Sequence, residues 1–227
     1  MLLAIDTSTE WSGLALYNAA GVQAEAMWRS GRQHTEQLLT QLDLLCRQLG
    51  VKPADLATVG VATGPGSWAG LRVGMSLAKA LVVAQGIPII GVPTTDVWAW
   101  SWRHVEQTLL VVIRLGRGRY AIAQYAAVDQ PCAAPSAVQV YELAAVPVMD
   151  ALYLGDIDAE LQAHLGSVGH WATPADNVRR PAALAELAWA RLADGAVDDV
   201  VGLEPIYLSS PVRGELPSGL SYGATLL

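Results

Sequence analysis

The order of apolar and polar positions along the chain predicts an α/β fold that opens with three short strands. An apolar run covers 1–6, a polar stretch follows, and 13–28 largely alternates apart from a turn at 18–21. Such a pattern is typical of a buried strand followed by an antiparallel pair. Apolar residues then recur at helical spacing over 35–50, which predicts an amphipathic helix with Gly50 as its C-terminal cap.

The rest of the chain continues with alternating strand and helix patterns, as expected for a sheet whose strands are connected by helices. The predicted strands are 59–62, 88–95, 109–113, 119–128, 138–143 and 151–155, and the predicted helices are 68–84, 96–107, 159–166 and 181–195. The tail from Pro205 is expected to be mostly loop. We place a lobe boundary near residue 105, which divides the chain into an N-terminal lobe, 1–105, and a smaller C-terminal lobe, 106–227.

Composition narrows the class of protein. With 227 residues, 52% hydrophobic and 15% charged, the chain can build a sizeable core. No apolar run reaches the ~18 residues of a membrane span, and the N-terminus is expected to form a strand and not a signal peptide. Cys46 and Cys132 lie far apart without metal-ligand spacing, so we expect a reduced, cytoplasmic protein with no structural metal.

The net charge of −7 disfavours a protein that grips nucleic acid by itself, because contacts with phosphates need a basic face. Any contact with RNA is therefore expected to run through a partner.

The most distinctive segment is GPGSWAGLRVG at 64–74, a glycine-rich turn between a strand and a helix. Its glycines permit a sharp bend, its serine can cap the helix, and the free N–H groups at the helix start could hold an anion. A second candidate loop follows the first strand, where Ser8 stands at a position that a glycine would fill in a phosphate-binding turn. A simple turn is the alternative for both loops. The candidate nucleotide or anion loop comprises Asp6, Thr7, Ser8, Gly64, Gly66 and Ser67.

Two helices carry faces that are suited to pairing. Leucines of the first helix recur at spacings of four, three and four residues, and small residues of the second helix recur every four residues. Glycine in a helix costs ~1 kcal/mol relative to alanine, so this strip of small residues indicates a close neighbour. Spacing leaves open whether that neighbour is the same chain or another. The candidate interface comprises His34, Glu36, Leu38, Leu42, Leu45, Leu49, Gly70, Gly74 and Ala78.

Motifs of catalysis are missing from the sequence. It contains no Gly-x-Ser-x-Gly elbow, no His-Glu-x-x-His and no Walker-type lysine loop. His34 and Glu36 could form a catalytic dyad. At the start of a helix, however, such residues more often cap the helix or interact with its dipole. We predict no catalytic residue, no metal and no cofactor of the chain's own.

Taken together, these segments resemble the TsaB family, also called YeaZ. The resemblance rests on LLAIDTST, RQHTEQLLTQLDLLC and VATGPGSWAGLRVGMSLAKAL followed by IPIIGVPTTD, and it covers 1–95. The usual central motif is GPGSFTGLRIG, with Trp68, Ala69 and Val73 in place of Phe, Thr and Ile here. The resemblance implies a two-lobed actin/hexokinase-like fold (ASKHA, ribonuclease H-like) with a shortened second lobe.

The resemblance also implies a function. The chain would be a non-catalytic scaffold that activates a TsaD-like catalytic subunit by dimerising with it through the first two helices. That complex transfers threonylcarbamoyl to N6 of the adenosine 3′ to the anticodon, with a TsaE-like ATPase as a further partner and TsaC as the source of threonylcarbamoyl-adenylate. The chain would form a homodimer when alone, would meet tRNA only through the complex and would not contact membranes. ATP or ADP would belong to the complex as a whole.

Two departures from these families are relevant. TsaD-type proteins have a metal-binding His-x-x-x-His motif where this chain has TTDVW at 94–98, so both imidazoles are missing. TsaB members often have D-A-R-x-G-E in the second lobe, where this chain has Arg114, Arg117 and Arg119. These arginines could form an anion-binding site or be solvated surface charge.

Two alternatives to the scaffold remain open. One is a stand-alone ASKHA-type enzyme, either a small-molecule kinase or ATPase or an M22-like peptidase. The other is a plain homodimer with regulatory partners.

Overall fold

The chain folds into two compact units, each built around a five-stranded sheet. The structure, a computed structural model, describes residues 1–30, 34–126 and 137–208, and of 34–36 only the backbone. The first unit comprises Met1–Val97 and Arg180–Ile206, and the second comprises Trp98–Arg179 with Tyr207 and Leu208. This division differs from a single boundary at 105, because the last helix returns to the first sheet.

The elements follow the predicted α/β order, apart from the two-residue strand His170–Trp171, which was not predicted. The strands are β1 (Leu2–Asp6), β2 (Trp11–Asn18), β3 (Gly21–Arg29), β4 (Thr58–Gly64), β5 (Ile89–Pro93), β6 (Leu109–Gly116), β7 (Arg119–Tyr125), β8 (Gln139–Glu142), β9 (Leu152–Gly155) and β10 (His170–Trp171). The helices are α1 (His34–Leu49), α2 (Trp68–Gln85), α3 (Thr94–Ser101), α4 (Ala159–Leu165) and α5 (Pro181–Ala193). Helix α3 ends at Ser101, so the predicted helix to residue 107 was too long. The side chains of His34 and Glu36, together with Cys132 and the tail beyond residue 208, lie outside the described residues.

The sheet of the first unit has the order β3-β2-β1-β4-β5. Strands β1, β2 and β3 form an antiparallel meander, while β4 and β5 run parallel to β1. The carboxyl ends of β1, β4 and β5 therefore share one edge of the sheet, which is the edge where ligands bind in open α/β folds. The β1–β2 turn, the glycine-rich turn and the start of α3 all lie at that edge.

Helices cover both faces of this sheet. Helices α1 and α2 contact each other and pack on one face, where the core includes Leu3, Ile5, Val59 and Val61. Alternate strand residues point the other way, because side chains in a strand alternate between faces. On that second face a Cβ atom at Gly60 would meet Ala188 of α5, so the sheet separates α5 from the α1–α2 layer.

The second unit repeats the strand order of the first. Its sheet runs β10-β9-β6-β7-β8, with β6, β7 and β8 as an antiparallel meander and β9 and β10 parallel to β6. In the first unit α1 connects the meander to the next parallel strand, whereas the second unit uses only a 3-10 turn, Leu143–Ala145. The second unit is therefore a shortened copy of the same topology. Within the described part of the chain, no helix combines the length and apolar character needed to span a membrane.

Candidate functional site

The β1–β2 turn and the glycine-rich turn are bound tightly to each other. The Ser67 N–H donates to the carbonyl oxygen of Ser8 at 2.6 Å, and the Thr7 hydroxyl donates to the carbonyl oxygen of Gly70 at 2.7 Å. A Cβ atom on Gly66 would clash with the Ser8 carbonyl. Glycine is thus required at 66 because two backbone segments meet there. The two candidate loops are therefore joined to each other by these hydrogen bonds.

Most of the polar groups that could meet a phosphate at this place are already bonded within the chain. The Asp6 carboxylate accepts the N–H of Ser8 at 3.0 Å and its hydroxyl at 2.8 Å. Asp6, Thr7 and Ser8 are all buried. Ser67 is the N-cap of α2, as predicted, and accepts the Gly70 N–H at 3.2 Å. The arrangement fixes the start of α2 on the sheet, and nucleotide or anion binding here stays a prediction.

Most of the predicted interface residues lie inside the first unit. Leu38, Leu42, Leu45, Gly70, Gly74 and Ala78 are all buried. The leucines pack in the core beneath α1, and a Cβ atom on Gly74 would clash with the Thr7 hydroxyl. The close neighbour of the small-residue strip is therefore β1 and its turn in the same chain. These six residues support the helix layer and are not available to a partner, which corrects their assignment to an interface. Only Leu49 of this leucine series is exposed.

The exposed side of the α1–α2 layer carries several large apolar residues beside polar ones such as Thr40, Asp43 and Arg47 of α1. Leu39, Leu44 and Leu49 of α1 are exposed, as are Trp68 and Val83 of α2. Small residues complete the exposed face of α2, namely Ala69, Ser76, Ala80 and Ala84. Helix α2 contains two cations, Arg72 and Lys79, and no acidic residue. We call this surface, formed by the exposed residues of α1 and α2, the outer helix face.

Trp68 and Arg72 form a stacked pair that sequence reasoning missed. The guanidinium carbon of Arg72 lies 3.4 Å from the centre of the Trp68 ring, which is a close cation–π contact. The Trp68 side chain remains 54% exposed although it is large and apolar. The spacing of four residues within a predicted helix could have indicated the pair, because such residues are neighbours on a helix surface.

Helix α3 begins with TTDVW, the segment that the resemblance aligns with the metal-binding motif of TsaD-type proteins. Thr94 and Thr95 are buried there, and neither hydroxyl has a hydrogen-bond partner. Among the described residues, no three side chains of His, Cys, Asp or Glu come together as a metal site would require. The prediction that the chain binds no metal stays a prediction.

In the second unit, Arg114 is part of a structural network. Its guanidinium lies 3.1 Å from the carboxylate of Asp158, which also accepts a hydrogen bond from Tyr120 and caps α4 through the N–H of Leu161. Arg117 is exposed on the β6–β7 turn. Because Asp158 pairs with Arg114, the positive charge of Arg114 is partly neutralised within the chain. The three arginines therefore offer an anion less positive charge than their sequence alone indicates.

This network predicts a loss of stability at alkaline pH. Burial raises the pKa of Tyr120, and the hydrogen bond to Asp158 raises it further. Above about pH 10, the ordinary pKa of tyrosine, the unfolded chain loses this proton before the folded chain does, so the free energy of unfolding should fall as the pH rises. Urea denaturation between pH 8 and 11 should show a smaller fall for Tyr120→Phe. An equal fall would contradict the prediction. Some dependence should remain, because burial also raises the pKa of Tyr153.

Comparisons with known proteins agree with this description. The family model "TsaD: tRNA N6-adenosine threonylcarbamoyltransferase" matches residues 28–162. The tRNA threonylcarbamoyladenosine biosynthesis protein TsaB of Bacillus subtilis is 30% identical over 221 residues, which cover 91% of this chain and 93% of the relative. The TsaB protein of Escherichia coli is 32% identical over 126 residues, which cover 55% of this chain and 54% of the relative.

The fold is also that of known structures. YeaZ from Pseudomonas aeruginosa superimposes with a TM-score of 0.76 at 19% identity, covering 90% of this chain and 99% of that one. This likeness confirms the predicted actin/hexokinase-like architecture. The sequence identity to the TsaB protein of Bacillus subtilis extends over nearly the whole of both chains. Together, this identity and the shared fold assign the chain to a family. The chain belongs to the TsaB/YeaZ family of tRNA threonylcarbamoyladenosine biosynthesis proteins.

Proposed function

We propose that the chain is the non-catalytic partner of a TsaD-like subunit in threonylcarbamoyl transfer to N6 of the adenosine 3′ to the anticodon of tRNA. The outer helix face carries the proposal. It holds leucines, a tryptophan and a valine in exposed positions on two adjacent helices, with small residues around them. Several large apolar side chains exposed on neighbouring helices, even among polar ones, favour a surface for protein–protein contact.

The shape of this face suits another helix layer. Ala69, Ser76 and Ala80 lie along the exposed side of α2, where they let a second backbone approach closely. The β1–β2 turn and the leucines of the core hold α2 in place. We therefore expect its exposed surface to be rigid before a partner binds. A rigid surface loses little conformational entropy on association.

The negative net charge of this chain supports a complex in which the other subunit binds the tRNA. A chain with a net charge of −7 lacks the excess of cations that binds a phosphate backbone. The tRNA would then be held by the TsaD-like subunit, and this chain would stabilise the active arrangement of that subunit. We also propose that the chain forms a homodimer through the same face when the TsaD-like subunit is absent. A contact with a TsaE-like ATPase is a further part of the proposal.

The proposal is tested by measuring the mass of the complex with the TsaD-like subunit of the same organism by light scattering. The wild-type chain should form a heterodimer. Ala80→Glu, which adds a charge in the middle of the outer helix face, should abolish it without lowering the melting temperature. Val148→Glu is the matched control, since Val148 is exposed in the second unit, and it should leave the heterodimer intact. A heterodimer that survives Ala80→Glu would overturn the role of this face.

A further inference from the structure

The turn between β6 and β7 holds an arginine in a backbone conformation that arginine seldom adopts. Gly116 pairs with Arg119, so Arg117 and Gly118 form a two-residue turn. Both have a positive φ, 55° at Arg117 and 69° at Gly118, as a type I′ turn requires. Among the residues that the structure describes, Arg117 is the only one other than glycine in this left-handed region. Asparagine would fit the position with less strain, because it tolerates a positive φ better than a long side chain does.

Hydrogen bonds hold this turn on both sides. The carbonyl oxygen of Gly118 accepts the N–H of Leu143 at 3.2 Å, and the N–H of Arg114 donates to the carboxylate of Asp156 at 2.9 Å. These bonds keep Arg117 in its strained conformation. Backbone strain that the surroundings maintain is common where a side chain serves binding, so we ask what this arginine could bind.

Arg117 carries most of the positive charge that remains available at this turn. Arg114, Arg117 and Arg119 lie within six residues, and no other six-residue window of the sequence holds three lysines or arginines. Asp158 pairs with Arg114, and Glu142 is the cross-strand neighbour of Arg119. The guanidinium of Arg117 is exposed, and no hydrogen bond or ion pair joins it to the described part of the chain.

The composition of the turn favours RNA over a protein surface. No side chain from Gly116 to Arg119 is apolar, whereas protein interfaces depend on apolar side chains in their core. Interfaces with nucleic acid are more polar and more positively charged. A Cβ atom on Gly116 or Gly118 would meet no atom within 4 Å, so the space beside the turn is open. A guanidinium there can bind two oxygens of one phosphate at once.

We propose that Arg117 binds a backbone phosphate of the tRNA while the chain is in the complex with the TsaD-like subunit, a proposal that rests on the function proposed above. One phosphate contact is too weak to hold RNA on a chain with a net charge of −7, so the contact acts only within the complex. Contacts with phosphates position a nucleic acid without reading its sequence. Arg117 should therefore contribute equally to the binding of every tRNA that the complex accepts.

The contact is tested by measuring the affinity of the intact complex for tRNA at several salt concentrations. Each phosphate contact adds about 0.7 to 0.9 to the slope of log affinity against log salt concentration. Arg117→Asn should lower the slope by this amount and weaken binding at low salt. Arg117→Lys, which keeps the charge, should retain most of the slope.

The matched control is Arg29→Asn, which removes the same charge from the first unit. Arg29 is exposed and already pairs with Glu10 at 2.9 Å, so its removal should leave the slope unchanged. An equal change of slope in both variants would mean that only net charge matters and would overturn the contact.

The stability of the isolated chain provides a second readout. Arg117→Asn should raise the melting temperature, because asparagine followed by glycine is the favoured pair in a type I′ turn. An unchanged or lower melting temperature would overturn the inference that arginine is kept here against the preference of the turn.

The remaining outcomes separate this contact from the proposed function. Unchanged tRNA affinity and slope for the Arg117→Asn complex would overturn the contact and leave the proposed function intact. If Arg117→Asn instead weakened association with the TsaD-like subunit, and the complex that still formed bound tRNA normally, the arginine would belong to a protein interface and the proposal would be wrong. No complex with the folded wild-type chain would overturn the proposed function itself.

Discussion

Replacing Gly66 with alanine should lower the free energy of unfolding by about 3 kcal/mol, at the upper end of the usual cost of overpacking. The added Cβ atom would meet the carbonyl oxygen of Ser8, a backbone atom that cannot rotate away. The hydrogen bond from the Ser67 N–H to this same oxygen would be displaced as well, leaving the carbonyl of the buried Ser8 without this donor. Urea denaturation followed by circular dichroism measures the change.

Gly202→Ala is the matched control for this substitution. A Cβ atom at Gly202 would meet the Asp199 carboxylate, which accepts the Gly202 N–H at 2.7 Å, so the substitution would cost at most this exposed hydrogen bond. The control should therefore cost less than about 1 kcal/mol, as most surface substitutions do. If Gly66→Ala unfolds at the same urea concentration as the wild-type chain, the tight contact between the two turns is not a source of stability.

Leu42→Glu should unfold the first unit, whereas Leu44→Glu should leave it folded. Leu42 is 7% exposed and packs in the core beneath α1, so glutamate there would lose this packing and bury a carboxylate, at a cost of about 4 kcal/mol or more. Leu44 is 47% exposed and lies on the outer helix face. Its substitution should change stability by no more than about 0.5 kcal/mol and should reduce binding to the TsaD-like subunit.

The two leucines are tested by thermal unfolding and by the same light-scattering measurement of the complex. A folded Leu42→Glu variant with a normal melting temperature would contradict the burial of this residue. Leu44→Glu with unchanged binding would remove Leu44 from the interface.

The order of the longer elements could be predicted from the sequence because their segments are long and periodic, whereas the two-residue strand β10 was missed. The leucine pattern over 35–50 corresponds to α1, and the alternation over 13–28 corresponds to β2 and β3. The return of α5 to the first sheet was not predicted. An apolar helix such as PAALAELAWARLA can be buried against any sheet, and its pattern does not say which one. The repeated strand order of the two units was likewise hidden, because the same topology can be built from unrelated residues.

The site could be predicted only in part, and the error has a physical origin. Helix α2 has small residues on two opposite faces, with Gly70 and Gly74 on one and Ala69 and Ser76 on the other. Periodicity separates the faces, but only the tertiary structure tells which of them packs on the sheet. The prediction selected the glycine face, which β1 and its turn cover in the same chain. The predicted roles of His34 and Glu36 lie outside the described side chains.

We propose that this chain activates a TsaD-like subunit and performs no transfer alone. The most direct test of this proposal is the reconstituted reaction with tRNA, threonylcarbamoyl-adenylate, the TsaE-like ATPase and the TsaD-like subunit, with and without the chain. We expect modified adenosine only when both the chain and the TsaD-like subunit are present, and its loss with the folded Ala80→Glu variant. Modification by the chain without the TsaD-like subunit, or equal modification when the chain is omitted, would contradict the account.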